Sequence, residues 1–241
     1  MLFIALPFSA CQTINRSNEE LGLPPAMVAF IFDDGPNVHD GTTERLLNVL
    51  NKYEIHAMFC LLGENAEAFP ELVRRIDREG HVIINHGYSD KWAYRMGKVE
   101  FRDNLVLGEA AISTALQKEL IPKLYRPHGG FYTSKQERIS REAGHPMIPS
   151  SVRIYDAVLK GEKKDKAVKK IIKKIEKQNG GIILLHDALD SHFRTEKRLG
   201  KNAFGVFNRS WIPDSAEEII TLLLSKGFIM GSPISFIQKY S

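Results

Sequence analysis

Short apolar runs alternate with amphipathic helical stretches along most of this 241-residue chain, and that rhythm restricts the fold more than any other feature. Strand-like runs fall at 27–32, 55–61, 81–85, 123–126, 146–152, 181–185 and 227–230. Helical patterns occupy 42–52, 69–79, 100–117, 134–143, 164–178 and 214–226. Strands separated by helices pair in parallel, because each connection must cross back over the sheet. Seven strand candidates suit either a closed α/β barrel or an open doubly wound sheet, and periodicity does not separate the two. With 43% hydrophobic and 26% charged residues, the composition is that of one soluble globular domain.

The domain is expected to span 26–241, preceded by a polar linker at 12–25 that ends in Pro24-Pro25. Residues 1–11, MLFIALPFSAC, resemble a lipoprotein signal in which Cys11 is lipidated, although no Lys or Arg opens the segment. That reading places the protein outside the cytoplasm or on the cell envelope, with membrane association through Cys11; a cytoplasmic protein is the alternative. Cys60 lies in an apolar run and reads as core. The net charge of +4 is concentrated locally and carries no nucleic-acid signature. Nine lysines fall within 160–177, yet Val168, Ile171, Ile172 and Ile175 form one helical stripe, the pattern of a solvated outer helix. Residues 188–213 show no periodicity and carry Phe193, Phe204, Phe207 and Trp211 among their bases. A stretch of that length in a compact domain is expected to line or cover a substrate groove.

Four apolar runs end in polar clusters. FIFDDGP, residues 30–36, places Asp33 and Asp34 where a strand breaks into a turn, so both carboxylates can face one cleft. One can hold a metal while the other takes a proton. HVIINHGYSD, residues 81–90, spaces His86 and Asp90 by four, and a helical turn there would point both at one ion. In LYRPHGG, residues 124–130, Arg126 leaves a strand, and Gly129 and Gly130 allow backbone N–H groups close to a substrate. GGIILLHDA, residues 180–188, sets His186 directly after the most apolar strand.

In this order, FIFDDGP, NHGYSD, YRPHGG and LLHD resemble the motifs of the polysaccharide deacetylases, carbohydrate esterase family 4 or the NodB-homology domain. The resemblance covers roughly 27–230 and implies an α/β fold, a distorted barrel of about seven parallel strands. It implies a metal-dependent hydrolase that removes acetyl groups from glycan, peptidoglycan or another N-acetylglucosamine polymer, with Zn²⁺ as the leading cofactor and Mn²⁺, Mg²⁺ or Co²⁺ as alternatives. By position, Asp33 becomes the general base, Asp34 and His86 metal ligands, Arg126 the group that orients the base, and His186 the general acid supported by Asp156. The Gly129 N–H would help hold the oxyanion and Leu184 would wall the acetyl pocket. Three positions depart from the family. Asp90 stands where the second metal histidine is expected, Ala157 replaces a tryptophan, and Gly129 replaces an aromatic, which predicts a wider, less aromatic pocket. Asp90 is expected to ligate the ion, favouring harder metals, with His128 approaching either metal or substrate and completing the site if Asp90 falls short. A small-amide hydrolase and an inactive glycan-binding protein are the competing functions.

Overall fold

The computed structural model describes residues 11–189 and 207–237. Its central strand is the expected first one. In chain order the strands are β1 (Cys11–Thr13), β2 (Met27–Asp33), β3 (Met58–Leu61), β4 (Val82–Asn85), β5 (Phe131–Thr133), β6 (Gly181–His186) and β7 (Ile229–Met230). The longer helices are α2 (Thr42–Lys52), α4 (Pro70–Arg78), α5 (Lys98–Leu116), α6 (Ser134–Glu142), α7 (Lys164–Gln178) and α8 (Ile212–Ser225). Short helices α1 (Asn18–Leu21), α3 (Gly63–Ala68) and α9 (Pro233–Ile237) complete the set.

A parallel sheet runs β4-β3-β2-β6, with β7 also pairing with β2. The expected strands at 123–126 and 146–152 contribute only single parallel bridges, Asn85 to Tyr125, Tyr125 to Met147, Asn15 to Ser150 and Val152 to Ile183. Pro122, Pro127, Pro146 and Pro149 bracket these segments and remove the donors that a longer ladder needs. The bridges run on from β4 and return to β6, an arrangement consistent with a distorted barrel whose second half is lightly tied.

Alternation along β2 explains both cores. Val28, Phe30 and Phe32 pack outward with Leu46, Ile171 and Ile219 of α2, α7 and α8. Ala29 and Ile31 face the other way and meet Met58, Cys60, Ile84, Leu124, Ile148, Ile182 and Leu184. On α7, Val168, Ile171, Ile172 and Ile175 are buried while Lys166, Lys169, Lys170 and Lys173 face solvent, as the stripe predicted.

Residues 12–25 are not a free linker. β1 pairs antiparallel with β5, Ser17 and Glu20 form a capping box on α1, and Asn18 Nδ2 donates to the carbonyls of Gln178 and Gly180 at 3.1 and 2.8 Å. Ile14 and Leu21 are buried. Two apolar anchors in a polar stretch are enough to dock it. Among the described residues no helix is long and apolar enough to cross a membrane.

Candidate active site

The inward-facing columns that fill the inner core end in the polar residues singled out above. Ala29 and Ile31 lead to Asp33, Ile84 to His86, Leu124 to Arg126, and Ile182 and Leu184 to His186. Parallel strands bring these ends to one side, because every column runs in the same direction. In register, Asp33 lies opposite both Cys60 and His186. The next residue would point outward on a continuing strand, but Asp34 has φ +76°. That turn carries its carboxylate to the same cavity as Asp33, with the Asp34 N–H held by the Cys60 carbonyl at 3.0 Å and its own carbonyl accepting from Asn65 Nδ2 at 2.8 Å. Cys60 itself is buried core, its thiol pKa pushed well up by burial and by Asp33.

Among the described residues, Asp34, His86 and His128 can hold a metal ion, offering ligand atoms all within 4.8 Å of one another. Asp34 Oδ1 lies 3.1 Å from His86 Nε2 and 3.3 Å from His128 Nε2. His86 Nδ1 is 2.7 Å from the Arg126 carbonyl, which can only accept, so this nitrogen carries a hydrogen and Nε2 is the one turned towards Asp34. The fit to a cation is good. Asp34 Oδ1 and His128 Nδ1 are buried without a hydrogen-bond partner, and a carboxylate oxygen left so is costly. One carboxylate and two imidazoles are a donor set suited to a divalent ion with an open position.

Asp90, expected as the third ligand, does not join this group. Residues 88–90 form bends rather than the helical turn that the four-residue spacing required, with Asn104 accepting from the Tyr88 and Ser89 N–H groups. Asp90 still lines the cavity, and its charge, after that of Asp34, raises the pKa of His128 against the effect of burial.

Across the cavity Asp33, Asp156 and His186 are held by hydrogen bonds. Arg126 Nε donates to both oxygens of Asp33 at 3.0 and 2.8 Å. Burial works to raise the Asp33 pKa, but Arg126, His86 and His186 together hold it below the ordinary value. His186 Nδ1 and its backbone N–H meet the two oxygens of Asp156 at 2.9 and 2.8 Å, leaving Nε2 4.0 Å from Asp33 Oδ2. Arg209 closes the network, with Nη2 2.9 Å from Asp156 Oδ2 and Nε donating to the His186 carbonyl at 3.0 Å. Burial opposes the charge on His186, yet Asp156 and the two site aspartates outweigh it and raise its pKa to about 9.

The cavity measures about 560 Å³ and is not the aromatic-poor pocket expected from Gly129 and Ala157. Trp92, Phe131, Tyr155 and Phe207 line it. Trp92 occupies the space above Gly129, where a Cβ would approach the indole to 3.1 Å. Leu184, Ala157 and His128 are also in the wall. Of the 188–213 stretch, Leu189 and Phe207 border the cavity and Trp211 packs in the outer core, whereas 190–206, with Phe193 and Phe204, lie outside the described residues. Arg209, Trp92 and Arg153 have no motif to mark them, and Asp187, although it ends LLHD, carries no role from that motif.

Comparison with known proteins agrees with this geometry. The family described as Polysaccharide deacetylase matches residues 21–148. A peptidoglycan-N-acetylglucosamine deacetylase of Bacillus cereus is 32% identical over 70% of this chain and 58% of its own length, and a chitooligosaccharide deacetylase of Bradyrhizobium sp. is 32% identical over 66% and 70%. The chain thus spans less than two thirds of the first of these relatives. The crystal structure of the Bc1960 peptidoglycan N-acetylglucosamine deacetylase superposes with a TM-score of 0.68 at 28% identity, covering 89% of each chain. With more than half of the sequence matched and the motif residues gathered at one end of a parallel sheet, the chain belongs to the polysaccharide deacetylase family.

Proposed function

We propose that the protein is a divalent-metal-dependent hydrolase that removes acetyl groups from N-acetylated cell-wall glycan, peptidoglycan first among the candidates, with Zn²⁺ as the ion. The carrying observation is the juxtaposition of the buried Asp34, His86 and His128 group, in which Asp34 Oδ1 and His128 Nδ1 are unsatisfied, with Asp33 held by Arg126 and His186 held by Asp156. The family relationship supports the same reading. One carboxylate and two imidazoles favour Zn²⁺ over the harder ions that a second carboxylate would have preferred. When bound, such an ion polarises a carbonyl and lowers the pKa of a coordinated water.

The chain's own groups do the proton work. Asp33, kept ionised by Arg126, accepts the proton of the attacking water. The N–H of Gly129 is assigned to the oxyanion, and Leu184 to the acetyl methyl. His186, protonated and aligned by Asp156 and Arg209, gives its proton to the departing amine. One water is consumed, the carbon–nitrogen bond breaks, and acetate and a free amino sugar leave. The envelope location and the lipid on Cys11 belong to this proposal, since an insoluble wall polymer is reached only outside the cytoplasm; fatty-acid labelling of the parent and not of Cys11→Ala is the expected result.

The deciding experiment is acetate release from N-acetylglucosamine oligomers and purified peptidoglycan, with and without a chelator. Release that a chelator abolishes and Zn²⁺ restores is expected; a metal-replete protein that releases acetate from neither would refute the reading.

A further inference from the structure

Among the described residues three arginines, Arg126, Arg153 and Arg209, stand at or beside the cavity, and they differ in what they hold. Arg126 is neutralised by Asp33, and Arg209 by Asp156. Arg153 has no such partner: no carboxylate among the described residues pairs with it, and its Nε is buried without a hydrogen bond. It is nevertheless placed with care. Val152 and Ile154 alternate into the outer core, so Arg153 and Tyr155 face the other way, into the cavity that Asp33, Asp34 and His186 share. The guanidinium carbon stands 4.7 Å from the centre of the Tyr155 ring and 5.8 Å from that of Phe131, so the cation lies against both rings. Gly130 gives it room, since a Cβ there would stand 2.9 Å from Nη1. Burial acts to lower its pKa, with Arg126 adding to that effect.

A half-buried cation that lines the cavity against two aromatic rings and has no carboxylate partner among the described residues is a receptor for a planar anion. Asp33, Asp34 and Asp90 share the cavity, so a singly charged carboxylate is tolerated where a dianionic phosphate would meet stronger repulsion. We propose that Arg153 is the carboxylate-recognition residue of this site, and that the sugar deacetylated is, or directly adjoins, an N-acetyl sugar bearing a carboxylate, the muramic acid type of the peptidoglycan repeat. The inference rests on the deacetylase reading for its substrate class. It adds the substituent that the site selects.

Binding tests this independently of turnover. The probes are the N-acetylglucosaminyl-N-acetylmuramic acid disaccharide, its carboxyl methyl ester, and diacetylchitobiose, titrated by calorimetry or saturation-transfer NMR into the Zn²⁺-loaded protein and into Arg153→Gln and Arg153→Lys. The parent is expected to prefer free acid over ester by about tenfold or more, as a charge-assisted bidentate pair gives. The ratio falls to about one in Arg153→Gln and lies between in Arg153→Lys, which keeps the charge and loses the fork. Unchanged melting temperature and Zn²⁺ content establish that the variants are folded. Equal binding of acid and ester by the parent, or an undiminished preference in Arg153→Gln, overturns the proposal. If the preference holds while the parent releases acetate from no ligand, the deacetylase reading fails and the carboxylate site stands; acetate released from chitobiose with no acid preference is the converse.

Discussion

The two sides of the cavity are built on opposite principles. On one, Asp34, His86 and His128 converge with acceptor atoms left unmatched; on the other, His186, Asp156 and Arg209 satisfy one another almost completely. Asp34, His86, His128, Asp156 and Arg209 are all buried and His186 is largely so, and the main difference is not one of solvent. A side with unmatched acceptors gains by taking up a cation, whereas a closed network holds a proton at a chosen nitrogen. Asp33 stands between them, 3.8 Å from His86 Nε2 and 4.0 Å from His186 Nε2, and is the group that both sides act upon. A deacetylation site needs this asymmetry, because the electrophile and the leaving group must be served from different directions.

The largest test removes the groups that exchange protons. Asp33→Asn and His186→Ala should each lower kcat/KM by about 10² to 10⁴-fold while Zn²⁺ content stays near that of the parent. Parent-like turnover by either would break the division at its centre.

Next comes the ligand set. His128→Ala should weaken Zn²⁺ binding by at least about 10²-fold, and Asp90→Asn by less than about tenfold, as befits a charge acting through a ligand. Competition with a chromogenic chelator reads both. A reversed order would return Asp90 to the ion and remove His128 from it.

The closed side makes a prediction in pH. A histidine raised from 6.5 to about 9 keeps its proton through neutrality, so kcat/KM should hold and then decline as pH rises through about 9. The same shift contributes stability that is complete below 6.5 and lost as pH climbs to about 9. Asp156→Asn deletes the main raising influence, and the alkaline limb should move to lower pH. A limb that does not move would mean that His186 is not the titrating acid.

The smallest effect concerns Asp187, which braces the turn after Asp34: Thr43 Oγ1 donates to its Oδ2 at 2.5 Å and Asn37 Nδ2 to its carbonyl at 2.7 Å. Burial, aided by Asp34, raises its pKa from 3.8 to about 7. The folded state therefore binds this proton more tightly than the unfolded chain. Stability should fall as pH rises between those two values, with a slope of at most about 1.4 kcal/mol for each step of one in pH. Asp187→Asn should flatten that part of the curve in denaturation experiments at a series of pH values.

How much of this was legible beforehand depended on whether a residue's place follows from its own strand. Asp33, His86, Arg126 and His186 each end an inward column, so apolar runs pointed to them directly. Their resemblance to family motifs then supplied roles that spacing alone did not. The four-residue spacing of Asp90 implies a helical turn, but 88–90 form bends, and Asp90 lines the cavity outside the Asp34, His86 and His128 group. His128 was read as one of two options, and only the fold brings it within 3.3 Å of Asp34. Arg209 lies 53 positions from Asp156, and Trp92 fills a space opened by a glycine 37 positions on; no local pattern carries such partnerships. The same holds for residues 12–25, where composition spoke of a linker and two buried side chains decided otherwise.

The lightly tied half of the ring has a mechanical meaning. Asp34 follows β2 and His86 follows β4, both firmly laddered, while His128 lies two residues beyond the segment around Tyr125, which is attached by single bridges. An ion shared by these three ligands would act as a hoop, fastening the loose staves to the tight ones. Its removal would then do more than stop the chemistry. Binding to the folded form alone stabilises it in proportion to the logarithm of free metal over its dissociation constant, so the rigidity of this wall would follow the supply of cation.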